Sequence, residues 1–176
     1  MKLLETVFET PVGPMRALAA DDALCALEFS MPKRMSRLNA RLARWFDAPQ
    51  IESGSNEVIE QTRQWLDDYF AGRTADISAL ALAPRGASFE LRVWEALRAI
   101  PPGHTASYGE IARQVGSPGA ARAVGMANGA NPIAIIVPCH RVIGANGSLT
   151  GYGGGLDRKT WLLDHERRWR RQPTLF

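Results

Sequence analysis

The 176-residue chain has only two cysteines, Cys25 and Cys139, and three histidines, His104, His140 and His165. Two thiols allow at most one disulfide, which excludes a disulfide-stapled secreted scaffold and favours free thiols. None of these residues stands at C-x-x-C or H-x-x-x-H spacing, so no zinc-binding pattern is present and no metal is expected. The chain also lacks a G-x-x-x-x-G-K-[ST] segment, which removes phosphate-loop chemistry. No apolar run approaches the roughly 20 residues of a membrane-spanning helix. Met1-Lys2-Leu3-Leu4-Glu5 has no signal-peptide stretch either. A cytoplasmic protein without membrane attachment is the expectation. Internal repeats and low-complexity segments are missing, which excludes solenoids and arrays.

What is there suits a globular chain, with 45% hydrophobic and 22% charged residues. The net charge of +3 is unevenly placed: residues 1–85 carry −2, residues 86–166 carry +1, and the last ten residues carry +4. The excess therefore belongs to the tail Arg167-Arg168-Trp169-Arg170-Arg171, and an anionic partner must be met locally. Between Thr6 and Phe29, short apolar runs separated by Pro11, Gly13, Pro14 and Asp21-Asp22 predict antiparallel strands. Cys25 lies in one of these runs and reads as a core residue. Leu38, Leu42 and Phe46 predict an amphipathic helix over 33–46, and Val58, Ile59, Trp65, Leu66, Tyr69 and Phe70 predict another over 57–70. Residues 76–86 read as a linker. A helix with an apolar face of Phe89, Val93, Trp94, Leu97 and Ile100 follows, which places a domain boundary near residue 85.

Chemistry concentrates beyond residue 100. A short helix from Tyr108 to Val115, the breaker Gly116-Ser117-Pro118-Gly119 and a second helix from Ala120 to Asn128 form a helix-turn-helix pattern. The second helix is built of small residues, Ala121, Ala123 and Gly125 among them, around Arg122. Small residues admit close approach to another surface, and one guanidinium can reach past it. The apolar run Ile133 to Val137 predicts a buried strand that Pro138 ends just before Cys139-His140-Arg141. A thiol with a pKa near 8.5 needs a neighbour that takes its proton, and His140 is the candidate. Adjacent residues on extended chain face opposite ways, so contact requires a turn or a water relay. The glycine-rich loop from Gly144 to Gly155 can aim backbone amides at a flat ligand. A terminal helix from Leu156 then ends near His165 and Glu166.

Pro138-Cys139-His140-Arg141, Asn131-Pro132, Ala121-Arg122-Ala123-Val124-Gly125, Gly151-Tyr152-Gly153-Gly154-Gly155 and Leu162-Leu163 through Glu166 together resemble the O6-alkylguanine-DNA alkyltransferases. The resemblance is to the Ogt-like type, the methylated-DNA–protein-cysteine methyltransferases. It covers residues 86–166 with the motifs in order and extends more loosely to the N-terminal part. It implies irreversible, single-turnover transfer of an alkyl group from guanine O6 in duplex DNA to Cys139, after the base is flipped out. It also implies a relay of Glu166, His140, water and Cys139, proton donation by Tyr108, insertion of Arg122 into the duplex and bracing of the active turn by Asn131. Ala121, Ala123, Gly125 and Tyr108 would face DNA. Tyr152, Gly153, Gly154, Val142 and Pro138 would line the base pocket. Some relatives carry Ser where Gly153 stands, so a backbone amide would have to serve here. Some bind structural zinc in the N-terminal domain, for which residues 1–85 hold only Cys25 and no histidine. The glycine-rich loop leaves room for larger alkyl groups or O4-methylthymine.

Two other classes use the same residues: a non-catalytic sensor of alkylated bases and a Cys139–His140 hydrolase. The ending Gln172-Pro173-Thr174-Leu175-Phe176 looks like the short peptides that dock on bacterial sliding clamps, with Gln172, Leu175 and Phe176 as anchors. The expected architecture is α+β, a small N-terminal antiparallel sheet with helices over 1–85. A mainly helical, winged-helix-like domain over 86–166 and a basic tail over 167–176 complete it. The chain is expected to act as a monomer without a cofactor.

Overall fold

The computed structural model describes residues 1–73 and 80–171. By internal contacts the chain forms two compact units. One holds Met1–Gly86 with Pro132–Ala134, the other Ala87–Asn131 with Ile135–Phe176.

The first unit is built on a four-stranded sheet of order β3-β2-β1-β4, with β1 at Lys2–Phe8, β2 at Met15–Ala19, β3 at Leu24–Phe29 and β4 at Gln50–Ser53. The three apolar strands pair antiparallel as expected, but β4 runs parallel to β1, with Leu3 opposite Ile51. The sheet is therefore mixed. Its edge strand Gln50-Ile51-Glu52-Ser53 is short and polar, which is why no apolar alternation announces it. Helix α1, Pro32–Trp45, follows β3 after the chain turns, and Pro32 supplies a preset φ for its first turn. Leu38 and Leu42 from α1 pack with Phe46, Leu3, Leu18, Ala26 and Cys25 in one core cluster. Helix α2, Glu57–Phe70, starts where Asn56 Oδ1 accepts from the Ile59 N–H at 2.9 Å. Of the stretch expected as a linker, residues 76–79 lie outside the described residues and the rest is tied down: Leu24 N–H donates to the Ala81 carbonyl and Ala83 N–H to the Leu24 carbonyl, both at 2.8 Å.

In the second unit α3, Ser88–Arg98, buries Val93, Trp94 and Leu97. Two-residue strands β5, Ala106–Ser107, and β6, Val142–Ile143, pair in parallel. Helices α4, Tyr108–Gln114, and α5, Ala121–Gly129, pack on one another. The start of α4 is fixed by a reciprocal cap: Ser107 Oγ accepts from Glu110 N–H and a Glu110 carboxylate oxygen accepts from Ser107 N–H, both at 3.1 Å. That cap places Tyr108 on the first turn of α4. Helix α6 runs Leu156–Arg171, so the segment expected as a tail begins inside a helix and Glu166 lies well before its end. Gln172, Leu175 and Phe176 lie outside the described residues.

The expected strand at 133–137 is absent. Only Ile133 makes an isolated bridge, to Leu27 within the first unit, and Ile135 takes φ +70°. A β-branched residue in the left-handed region is strained. Burial of Ile133, Ala134, Ile135, Ile136 and Val137 as successive turns offsets it. The run is apolar because it is buried, not because it is extended.

Candidate active site

Cys139 follows this buried run and opens a single 3-10 turn, Cys139–Arg141. The turn provides what adjacency alone does not: the thiol and the imidazole of the next residue no longer face opposite ways. Two amides brace it. Asn131 Nδ2 donates to the Val137 carbonyl at 2.8 Å and Asn128 Nδ2 donates to the Cys139 carbonyl at 3.1 Å. Asn128 belongs to α5, whose end is itself fastened by the Trp94 indole N–H on the Ala127 carbonyl at 2.8 Å. Cys139 keeps only 6% of its surface exposed.

Behind the thiol lies a buried charge cluster. His140 and Glu166 are both fully buried, and His140 Nε2 meets Glu166 Oε1 at 2.7 Å. A carboxylate can only accept, so Nε2 carries the proton and Nδ1 presents a lone pair. Burial lowers the His140 pKa against the opposing pull of Glu166, which keeps the ring neutral and able to take a proton. For Glu166 burial alone would raise the pKa. The His140 N–H and the Arg141 guanidinium more than offset it and hold the carboxyl well below the usual range. Arg141 grips Glu166 from Nε at 3.0 and 3.1 Å and from Nη2 at 2.7 Å, while Nη1 donates to the Ile100 carbonyl at 2.6 Å.

Tyr108 is tied to the glycine-rich loop. The Tyr108 hydroxyl donates to the Thr150 carbonyl at 3.3 Å. That carbonyl also accepts from Lys159 Nζ at 2.9 Å, and Lys159 donates in addition to the Val142 carbonyl at 2.6 Å. Lys159 is fully buried. Burial lowers its pKa and a negative Cys139 raises it, so the ammonium lies within electrostatic reach of the sulfur and favours its thiolate. By contrast, Cys25 sits in the first unit's core, where burial pushes its thiol up. It is an inert core residue.

Models of two domains match the chain: the ribonuclease-like domain of 6-O-methylguanine DNA methyltransferase over residues 3–84, and the DNA binding domain of the same protein over residues 88–168. A methylated-DNA–protein-cysteine methyltransferase from Salmonella typhimurium is 47% identical over 94% of this chain and 96% of its own length. The chain belongs to the methylated-DNA–protein-cysteine methyltransferase family. Another such methyltransferase, from Mycolicibacterium paratuberculosis, is 59% identical over 70% of each chain. The crystal structure of Mycobacterium tuberculosis OGT in complex with DNA is similar at a TM-score of 0.78 and 42% identity, covering 96% of this chain and 94% of that one.

Within this methyltransferase the residues singled out from sequence fall into three places. Cys139, His140, Glu166 and Asn131 come together in or against the active turn. Arg122 and Ala123 lie exposed on α5, while Ala121 and Gly125 are half-buried. A Cβ on Gly125 would meet the Tyr108 ring at 3.8 Å, an ordinary van der Waals distance, so α5 lies beside that ring. Val142, Pro138 and Gly154 are buried, Tyr152 is half-buried and Gly153 is exposed. His165 stacks on Trp161 with ring centroids 5.0 Å apart, and the Trp169 ring lies tilted at 6.3 Å from His165. Among the described residues no three His, Cys, Asp or Glu side chains cluster as metal ligands, and no helix is long and apolar enough to cross a membrane.

Sequence reasoning missed Lys159, Arg141 and Asn128. A signal for Lys159 existed. It precedes Glu166 by seven residues, which places both on one stripe of α6 with Leu162 and Leu163. A lysine in that stripe needs acceptors, and the two carbonyls are those acceptors.

Proposed function

We propose that this protein repairs alkylated duplex DNA by direct reversal, moving the alkyl group from guanine O6 to Cys139 in one irreversible step. The observation that carries the reading is the fully buried His140, held by Glu166 through Nε2 and joined by a tight turn to Cys139. That arrangement supplies a base for a thiol proton and, with Lys159, a site that favours thiolate. A hydrolase would also use a cysteine and a base. Family membership and the small-residue helix α5 favour DNA alkyl transfer.

A stacked guanine presents O6 to no in-line nucleophile, so the nucleotide must be extruded at a cost of about a few kcal/mol. The exposed face of α5, with Arg122 and Ala123, suits minor-groove approach, with Arg122 filling the space the base leaves. The sulfur attacks the alkyl carbon as the C–O6 bond breaks. Tyr108 donates a hydrogen bond toward the developing negative charge on the base, and amides near Tyr152 and Gly153 add to it. Asn131 braces the turn, and Val142, Pro138, Gly154 and Tyr152 line the base. The thioether resists hydrolysis, so each molecule reacts once. O4-methylthymine is a second candidate substrate of the same pocket. No cofactor enters the scheme.

The same reading divides the chain into a scaffold over 1–85, a catalytic and DNA-binding domain over 86–166 and a basic segment from 167. It has the protein act as a cytoplasmic monomer. It also gives the final residues a role in docking on a sliding clamp through Gln172, Leu175 and Phe176. Titration with duplex containing O6-methylguanine tests the main claim. Repaired base should plateau at one equivalent per protein, and continued turnover would reject it. Loss of clamp binding on removal of residues 172–176 tests the docking role.

A further inference from the structure

Asn128 lies inside α5 with its side chain turned inward and almost wholly buried. Its amide orientation is dictated by chemistry, because the group facing the Cys139 carbonyl at 3.1 Å must be the nitrogen. The oxygen Oδ1 therefore points elsewhere. It is buried and has no hydrogen-bond partner among the described residues. One other acceptor in this site has the same property, His140 Nδ1. Both belong to residues tied to Cys139, one the next residue in the turn and the other the side chain that holds the Cys139 carbonyl. Buried acceptors left dry are rare in proteins, and a buried water makes about three hydrogen bonds to such groups. Nδ1 and Oδ1 are two acceptors, which suits a water that donates twice.

We propose that Asn128 is a positioning residue for alkyl transfer, its Oδ1 holding one hydrogen of the water that carries the Cys139 proton to His140 Nδ1. The inference rests on the alkyl-transfer reading above. With one hydrogen held by Oδ1, the other is aimed at the imidazole. As the S–C bond forms and the C–O6 bond breaks, the thiol proton passes to the water and the water's own proton passes to Nδ1. The imidazolium keeps its Nε2 proton on Glu166. The electron pair of the broken bond stays on the base, which takes up one proton to become guanine. Asn128 thus acts through the water, while its Nδ2 keeps the turn in place.

The test uses Asn128→Leu, close to isosteric and without polar atoms, on the full chain. Transfer from the free base O6-benzylguanine is followed by mass against pH, which separates chemistry from DNA binding. Without an oriented relay, the variant depends on thiolate formed directly, and a free thiol ionises near pH 8.5. Its rate at pH 7 should fall about tenfold and approach the wild-type rate above pH 9, a displacement of the pH profile by about one unit. Affinity for unmodified duplex should stay within about twofold. A loss that is equal at every pH indicates only a weakened turn and overturns the proposal, as does an unchanged rate. If Asn128→Leu does not fold, Asn128→Ala is judged by the same displacement. A wild-type protein that takes no benzyl group would instead reject alkyl transfer itself.

Discussion

Glu166→Gln is the most informative single change, because the buried carboxylate holds two different partners at once. It accepts from His140 Nε2 at 2.7 Å and from Arg141 through Nε and Nη2 at 2.7 to 3.1 Å. Glutamine keeps one acceptor oxygen and places an NH2 where the other stood, so at least one donor of His140 or Arg141 faces a donor. Arg141 remains charged and buried, and breaking a buried ion pair from one side costs about 3–5 kcal/mol. For a chain of this size each kcal/mol moves the midpoint by about 2–4 °C, so Tm should drop by about 6–20 °C. The pH dependence has a definite sign. The carboxyl is held below its ordinary value. Its stabilisation is therefore complete above the unfolded pKa near 4.3 and is lost as pH falls below it. Urea unfolding followed by tryptophan fluorescence should show a large gap between wild type and variant at pH 7 that narrows toward pH 3. A gap below about 1 kcal/mol at pH 7, or one that persists unchanged to pH 3, would refute the reasoning. Transfer should slow by on the order of 100-fold, because the general base loses its orienting partner.

Arg122→Ala should slow repair of duplex by about tenfold or more while reaction with a free alkylguanine base changes less than about twofold, since the residue acts on extrusion. Equal losses in single-turnover assays on both substrates would contradict that role. Lys159→Met takes the ammonium donor from the Val142 carbonyl, leaves the Thr150 carbonyl to the Tyr108 hydroxyl and removes positive charge near the sulfur. Iodoacetamide labelling of Cys139 against pH should shift upward by about one unit, and an unshifted curve would exclude the electrostatic role. Asn56→Ala removes the cap of α2 and its second bond to the Ala20 carbonyl at 2.9 Å. Urea unfolding should report a loss of about 1–2 kcal/mol with transfer unaffected.

The legible parts of this chain were those with a local signature. The glycine and proline breakers before α5 and the apolar stripes of α1, α2 and α3 all depend on near neighbours in sequence, and each element formed where its signature lies. The run from Ile133 to Val137 misled because hydrophobicity reports burial, not backbone shape. Only the positive φ of Ile135 and the amide of Asn131 on the Val137 carbonyl reveal successive turns. Strand β4 escaped because an edge strand paired on one side needs no apolar alternation. Lys159 and Asn128 drew no functional reading, and their partners are carbonyls that no side-chain pattern encodes. Cys139 and His140 stood out by type and adjacency, whereas the grip of Arg141 on Glu166 spans 25 residues and is visible only in the fold.

The most direct test of the account is intact-mass spectrometry after mixing protein with one equivalent of O6-methylguanine duplex, beside Cys139→Ala. The account predicts that the wild-type chain gains one methylene, that peptide mapping places it on Cys139, and that the variant gains nothing. An unchanged mass in freshly reduced wild-type protein, or a gain that survives in Cys139→Ala, would contradict it.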